Sequence, residues 1–311
     1  VDGDIINFTV SSIAYGAAKR LSKTTSGWVW IRTGNYASLP AFDSDYMSAG
    51  LSARVDRIAN ASHFVQLRTT LNNESVIDCA DGAQGYWLTG IEAMANAGTV
   101  TVNDGLFAFR PASGGPTNIS QLPKRLTVDR CYLHGDEVTH GGVRTGIVAD
   151  CEMLLVCGSL IRALSLPSSG GEDDCFLGIN GPRYLLVFNN ELEAAGTGAA
   201  LWGGGTVTIT TPANFVSSDG AFIRNFIHKR DAWKPGGAAP STKAKNMYEH
   251  KQGDRFLLYG NWFYNYFQFA QVRAMVLKPT NQNGGAGNNY IYTRDFISMC
   301  MADPHMNQKY P

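Results

Sequence analysis

A six-residue pattern recurs along the chain: an apolar residue, two variable positions, a small or amide residue, a variable and often large one, then another apolar one. It reads VDRCYL from Val128, VCGSLI from Val156, VFNNEL from Val187, FIRNFI from Phe222, LYGNWF from Leu258 and YTRDFI from Tyr292, with a weaker copy, LTGIEA, from Leu88. Alignment stacks Cys131, Ser159, Asn190, Asn225, Asn261 and Asp295 in one column. Two residues on stand Leu133, Ile161, Leu192, Ile227, Phe263 and Ile297. Successive copies lie 28, 31, 35, 36 and 34 residues apart. That is too irregular for a rigid unit but natural for a core turn whose loops differ in length. A parallel β-helix meets these demands, because each coil adds short strands and stacks its inward side chains on those of the next. A tight bend between two strands leaves backbone groups unpaired inside such a stack. Asparagine supplies a donor and an acceptor there and tolerates unusual φ/ψ, so this column is read as structural.

Segments between the copies read as another strand of each coil, forming a second parallel sheet: Thr145–Val148, Phe176–Ile179, Ala200–Trp202, Asn246–Glu249 and Ala274–Leu277. Ser165–Asp174, Gly203–Ser218 and Lys229–Lys245 are then loops. The expected architecture is one all-β domain over 1–311, a parallel β-helix with long loops. Residues 1–80 are expected to form N-terminal coils or a cap over an otherwise open sheet edge, residues 81–300 regular coils, and 301–311 a tail.

Composition excludes several classes. Equal numbers of basic and acidic residues, 26 of each, argue against binding nucleic acid by phosphate neutralisation. With 17% charged and 11% aromatic residues the chain is not disordered. No apolar run is long enough for a membrane span. The opening Val1-Asp2-Gly3-Asp4 has neither region of a signal peptide, so any such segment is expected to have been removed. Six cysteines form no zinc-like spacing and suit either disulfides or buried thiols.

The segments Trp30-Ile-Arg-Thr33, Asp129-Arg-Cys-Tyr-Leu-His-Gly135, Asn189-Asn-Glu-Leu-Glu-Ala-Ala-Gly196, Leu201-Trp-Gly-Gly204 and Asn246-Met-Tyr-Glu249, in this order, resemble the pectate-lyase-like right-handed parallel β-helix proteins, within them a group of secreted microbial β-helix repeat proteins. The resemblance covers most of the chain. It implies a right-handed β-helix, an extracellular location and a carbohydrate-directed role, although such folds also serve as adhesins and inert rods. The polygalacturonase series and the Arg-x-Pro-x-x-Arg of pectate lyases are missing.

In a lyase of this kind, Ca²⁺ and a lysine or arginine of lowered pKa would act on an acidic polysaccharide. Lys251 and Lys278, ending comparable strands, with Glu249 and Arg273, are the candidate catalytic groups; an ordinary ion-paired coil surface is the competing reading. His134 and Asp136, with Glu137, His140 and Arg144 nearby, form a second candidate. Trp202 and Trp233 are candidate sugar-stacking residues, Trp233 being expected to stand exposed in its Gly/Pro loop. The expected partner is a polysaccharide. The alternative is a structural or adhesive β-helix that associates with itself.

Overall fold

Each six-residue copy divides at its amide position into the end of one strand and the start of another. The computed structural model describes residues 3–9, 12–15, 18–39, 61–96, 100–112, 116–138, 142–166, 173–202, 217–239, 244–251, 253–267, 273–278 and 296–298. These form three parallel sheets of nine, eight and eight strands, and every strand pairs with the one three strands later. The first sheet holds Asp4–Phe8, Val29–Thr33, Gln84–Thr89, Lys124–Asp129, Glu152–Cys157, Arg183–Phe188, Ser217–Ile223, Gly253–Tyr259 and Phe296–Ser298. The second holds Ser12–Tyr15, Val65–Thr69, Ile91–Ala95, Tyr132–His134, Leu160–Leu164, Glu191–Ala194, Phe226–His228 and Trp262–Tyr264. The third holds Lys19–Leu21, Ile77–Cys79, Phe107–Phe109, Thr145–Ala149, Asp174–Gly178, Thr197–Trp202, Tyr248–Lys251 and Met275–Lys278.

This arrangement is all-β and consistent with a parallel β-helix. The sequence distinguished only two sheets; the structure has three, because the two halves of each copy belong to different ones. Residues 1–80 supply strands to all three sheets from Asp4 onward, and no capping element is seen among the described residues. Asp295, Cys300 and the tail 301–311 lie outside them.

Every second side chain of a strand points inward, and these form unbroken columns. Leu88, Val128, Val156, Val187, Phe222 and Leu258 stack on the first sheet. Leu67, Ala93, Leu133, Ile161, Leu192 and Ile227 stack on the second; the register shifts only beyond Ile161. Ile77, Phe107, Ile147, Phe176, Ala199 and Tyr248 stack on the third. All are buried and belong to one core. The small Ala199 leaves room for Phe222 to meet Phe176 and Tyr248 edge-on across the interior, at 6.0 and 5.5 Å between ring centres.

The corner between the first and second sheets is where the amide column acts. One residue there has left-handed φ in coil after coil: Gly90, Arg130, Gly158, Asn189, Arg224 and Gly260, at +65°, +48°, +56°, +55°, +54° and +62°. The following residue enters the column. Asn225 Oδ1 accepts from the Asn190 backbone N–H and from Asn190 Nδ2, both at 3.0 Å. Asn225 Nδ2 donates to the Val187 carbonyl and to Asn261 Oδ1, both at 2.9 Å. Ser159 N–H donates to Asn190 Oδ1 at 2.8 Å, and Ser159 Oγ takes over the accepting role for Cys131 N–H at 3.0 Å. The column is thus a hydrogen-bonded ladder, as its composition predicts. Cys79, Cys131, Cys151, Cys157 and Cys175 are free and buried, so these five are thiols rather than disulfides.

The outward faces differ sharply. On the first sheet the column Ile5, Trp30, Trp87, Thr127, Leu155, Leu186, Ala221 and Leu257 is apolar but for Thr127. On the third, the outward Val148, Leu177, Ala200, Glu249 and Lys251 are buried. The second carries charge.

Candidate functional site

Outward positions on the second sheet form two columns, one largely aromatic and apolar and one largely charged. The position after the amide holds Tyr132, Leu160, Glu191, Phe226 and Trp262. The position two further on holds His134, Arg162, Glu193, His228 and Tyr264, the Arg162 to Glu193 step crossing a register irregularity. Parallel strands bring the members of each column side by side, because residues separated by a whole coil in sequence become neighbours on the sheet. Glu137 and Arg230 reach the same patch from connections beyond the second sheet.

The charges interlock. Arg162 Nε lies 3.5, 3.7 and 3.8 Å from oxygens of Glu191, Glu137 and Glu193. No two of those oxygens are therefore further apart than twice that reach. Arg230 clamps Glu137 at 2.9 Å and also pairs with Glu193. His228 sets Nε2 2.8 Å from Glu191 and Nδ1 3.5 Å from Glu193. Tyr132 donates to Glu137 at 2.8 Å and stacks on His134, whose Nε2 is 3.0 Å from Glu92.

Burial alone would raise the Glu193 pKa, but the charges of His228, Arg230 and Arg162 and the Arg230 hydrogen bond hold it below the usual carboxylate range. Glu193, itself buried, is thus held ionised by its cationic neighbours. For Arg162, burial pulls the other way from Glu191, Glu193 and Glu137, and the carboxylates win, keeping it charged. Burial, reinforced by Glu137, raises the Tyr132 hydroxyl. Two buried atoms of the patch, Arg162 Nε and Glu92 Oε2, have no hydrogen-bond partner among the described residues. Arg162 Nε is compensated by its three carboxylates instead. Aromatic rings adjoin the charges: Phe226, Trp262 and Tyr264 pack together, with Tyr264 beside His228 in register and partly exposed.

The residues singled out from sequence divide between two faces. Lys251 and Lys278 are indeed register partners on adjacent strands of the third sheet. Glu249 and Lys251, however, are buried and ion-paired with each other, so they line no open groove among the described residues. Arg273 is exposed just ahead of the Met275–Lys278 strand. Trp202 pairs with Lys251 through the backbone; the side chains of Trp202 and Lys278 lie outside the described residues, as does His140. His134 is part of the second-sheet patch. Asp136 caps a turn through the Val138 N–H at 2.8 Å.

The exposed setting expected of Trp233 is corrected. It ends a short 3-10 turn, Asp231–Trp233, is fully buried and packs 5.1 Å beneath the Arg230 guanidinium. A large aromatic ring in a Gly/Pro segment anchors that segment by burying itself. Nearby, buried Lys229 donates to the carbonyls of Ala194, Ala195 and Gly196 at 3.0, 2.8 and 2.5 Å. Burial lowers its pKa to about 7. For Ca²⁺, the described residues contain no group of three or more His, Cys, Asp or Glu side chains arranged to hold a metal. Glu191, Glu193, Arg162, His228 and Glu92 were missed by sequence reading because Glu191 and Glu92 occupy a variable position of the repeat and Glu193, Arg162 and His228 the position just beyond it. Reading down the aligned columns instead of along the chain collects them. Compared with known proteins, the chain matches no family model, no curated protein and no solved structure.

Proposed function

We propose that the chain is an extracellular, right-handed parallel β-helix protein of the pectate-lyase-like kind that binds a polysaccharide across the outer face of its second sheet and hydrolyses it there. Right-handedness follows from the strong preference of parallel strand crossovers. The observation that carries the activity is the gathering of Glu137, Glu191 and Glu193 around the Arg162 Nε. Four carboxylates, counting Glu92, against two arginines make the patch unfavourable for a uronate chain and favour a neutral glycan. Tyr264 and Trp262 offer ring faces for the apolar side of a sugar.

Glu193, buried beneath the patch and held ionised by its cations, is the base or nucleophile, and Glu137, the most open of the three, is the second carboxylate of the pair. The test is release of reducing ends from a panel of neutral and uronic polysaccharides, with absorbance of unsaturated products followed in parallel. Glu193→Gln and Glu137→Gln are expected to lower turnover by roughly 10²–10⁴-fold while glycan binding, measured by calorimetry, survives. Turnover untouched by both substitutions refutes the site. Absence of both binding and turnover on every glycan favours the non-enzymatic structural or adhesive reading.

A further inference from the structure

The outward face of the first sheet has a largely apolar central column, with charged side chains such as the Arg255–Asp219 ion pair beside it. Among its outward side chains Trp87 is 40% exposed, Leu186 39%, and the flanking Met153, Tyr184 and Tyr259 each about half. Together with Ile5 and Trp28 they expose on the order of 700 Å² per chain, beyond the largest apolar patch usual on a monomer. We propose that this face packs against the same face of a second copy, the two chains antiparallel about a two-fold axis that crosses the Leu155 row.

Leu155 sits on the fifth of the nine strands, so such an axis pairs each row with its mirror-numbered one. The bulky Trp87 row then faces the small Ala221 row, Trp30 faces Leu257, and Thr127 faces Leu186, so large meets small or branched at each level. Neighbouring columns match as well. Arg125 and Tyr184, two residues before Thr127 and Leu186, come together. So do Arg32 and Tyr259, two residues after Trp30 and Leu257. Both arginines already lie over rings of their own chain, Arg32 4.0 Å over Trp30 and 3.7 Å over Tyr36 and Arg125 5.2 Å over Trp28, so each extends an existing arginine–aromatic stack across the interface. The parallel alternative sets Trp87 against Trp87 and Ala221 against Ala221, leaving a clash and a gap. Both copies share the same inter-strand spacing, so rows interdigitate over the whole face, as in packed sheets about 10 Å apart. The dimer buries about 1,400 Å² in total, the size of a stable specific interface. An isologous contact of this kind closes on itself and stops at two.

The experiment is sedimentation equilibrium of the full chain over a dilution series. The wild type is expected to be a dimer. Leu155→Glu, which puts two like charges face to face on the axis, is expected to weaken it roughly a hundredfold or more. Val138→Glu, on an exposed connection away from this face, is expected to leave it unchanged. A circular dichroism spectrum and melt like the wild type's show that Leu155→Glu still folds; if it does not, Leu186→Ser takes its place. Orientation is read with a short bis-maleimide: Leu155→Cys links to itself, whereas Trp87→Cys links only when mixed with Ala221→Cys. A wild type that is monomeric throughout, a dimer indifferent to both substitutions in folded protein, or Trp87→Cys linking to itself overturns the proposal. None of these readouts depends on catalysis at the second sheet.

Discussion

Replacing Asn225 by leucine tests the ladder directly. The substitution keeps the side chain's approximate size and removes four hydrogen bonds: two accepted from Asn190 and two donated, to the Val187 carbonyl and to Asn261. Asn190 Nδ2 retains the Val156 carbonyl at 3.0 Å, and Asn261 Oδ1 retains the Asn225 backbone N–H at 2.9 Å. The losses that count are the Asn190 backbone N–H and the side-chain donor to Val187, both buried. An orphaned buried group costs about 1–3 kcal/mol. Leucine recovers about 2 kcal/mol by burying apolar surface, so two orphaned groups at about 2 kcal/mol each leave a net loss of about 2 kcal/mol. Asn225→Ser should cost distinctly less, because Ser159 already accepts a backbone N–H in this same column. Urea unfolding followed by far-ultraviolet circular dichroism measures both. A leucine variant within about 0.5 kcal/mol of the wild type, or one no worse than the serine variant, would refute the view that the amides hold the corner through hydrogen bonds.

Two further substitutions probe the interior and its titration. Gly198 packs so closely that a Cβ there would lie 2.4 Å from Ile227 Cγ2 and 2.6 Å from the Met247 carbonyl. Gly198→Ala should therefore destabilise by about 1–3 kcal/mol, while Gly236→Ala, in open space at positive φ, should cost less; equal melts would refute it. His250 is buried, and burial lowers its pKa from 6.5 to about 4. The folded state thus binds this proton less readily than the unfolded chain. Its contribution to stability is full above pH 6.5 and is lost as the pH falls through about 4. His250→Gln should flatten the fall in melting temperature across that window, and an unchanged slope would count against a buried neutral imidazole.

The core was legible in sequence because stacking imposes one requirement at the same place in every coil. Val128, Val156 and Val187 must be apolar and Asn190, Asn225 and Asn261 must be amides, whatever the loops between them do. The segments between the copies read as a sheet of their own, which is the third; what the pattern hides is that each copy spans two sheets, Val187 on the first and Leu192 on the second, because the one-residue corner between them looks continuous along the chain. The charged patch was hidden for a different reason. Glu191 and Glu193 flank the inward Leu192, and along the chain they look like ordinary solvent-facing positions of a half-buried strand. Their meaning comes from Arg162 one coil earlier and His228 one coil later, neighbours that only the parallel register supplies. Trp233 misled because a Gly/Pro-rich segment suggests exposure, whereas its indole is what secures that segment. The Lys251 and Lys278 pairing was correctly placed, but burial of Lys251 against Glu249 depends on what lies over the third sheet, about which strand spacing is silent.

The single left-handed residue at the corner between the first and second sheets also decides where the protein can vary. From Gly90 onward this bend of one residue leaves no slack, and the irregular coil lengths are absorbed at the other two corners; before it, residues 34–64 lie between Val29–Thr33 and Val65–Thr69 at the same corner. It also makes every such corner interchangeable with the next. Gly158 followed by Ser159 and Asn189 followed by Asn190 share the same backbone turn and the same ladder position. Joining Gly158 directly to Asn190 would remove one complete coil while leaving both cut ends in conformations they already adopt. The chain is in this sense divisible into whole coils at that edge, and its length is a quantity that recombination can change in single steps.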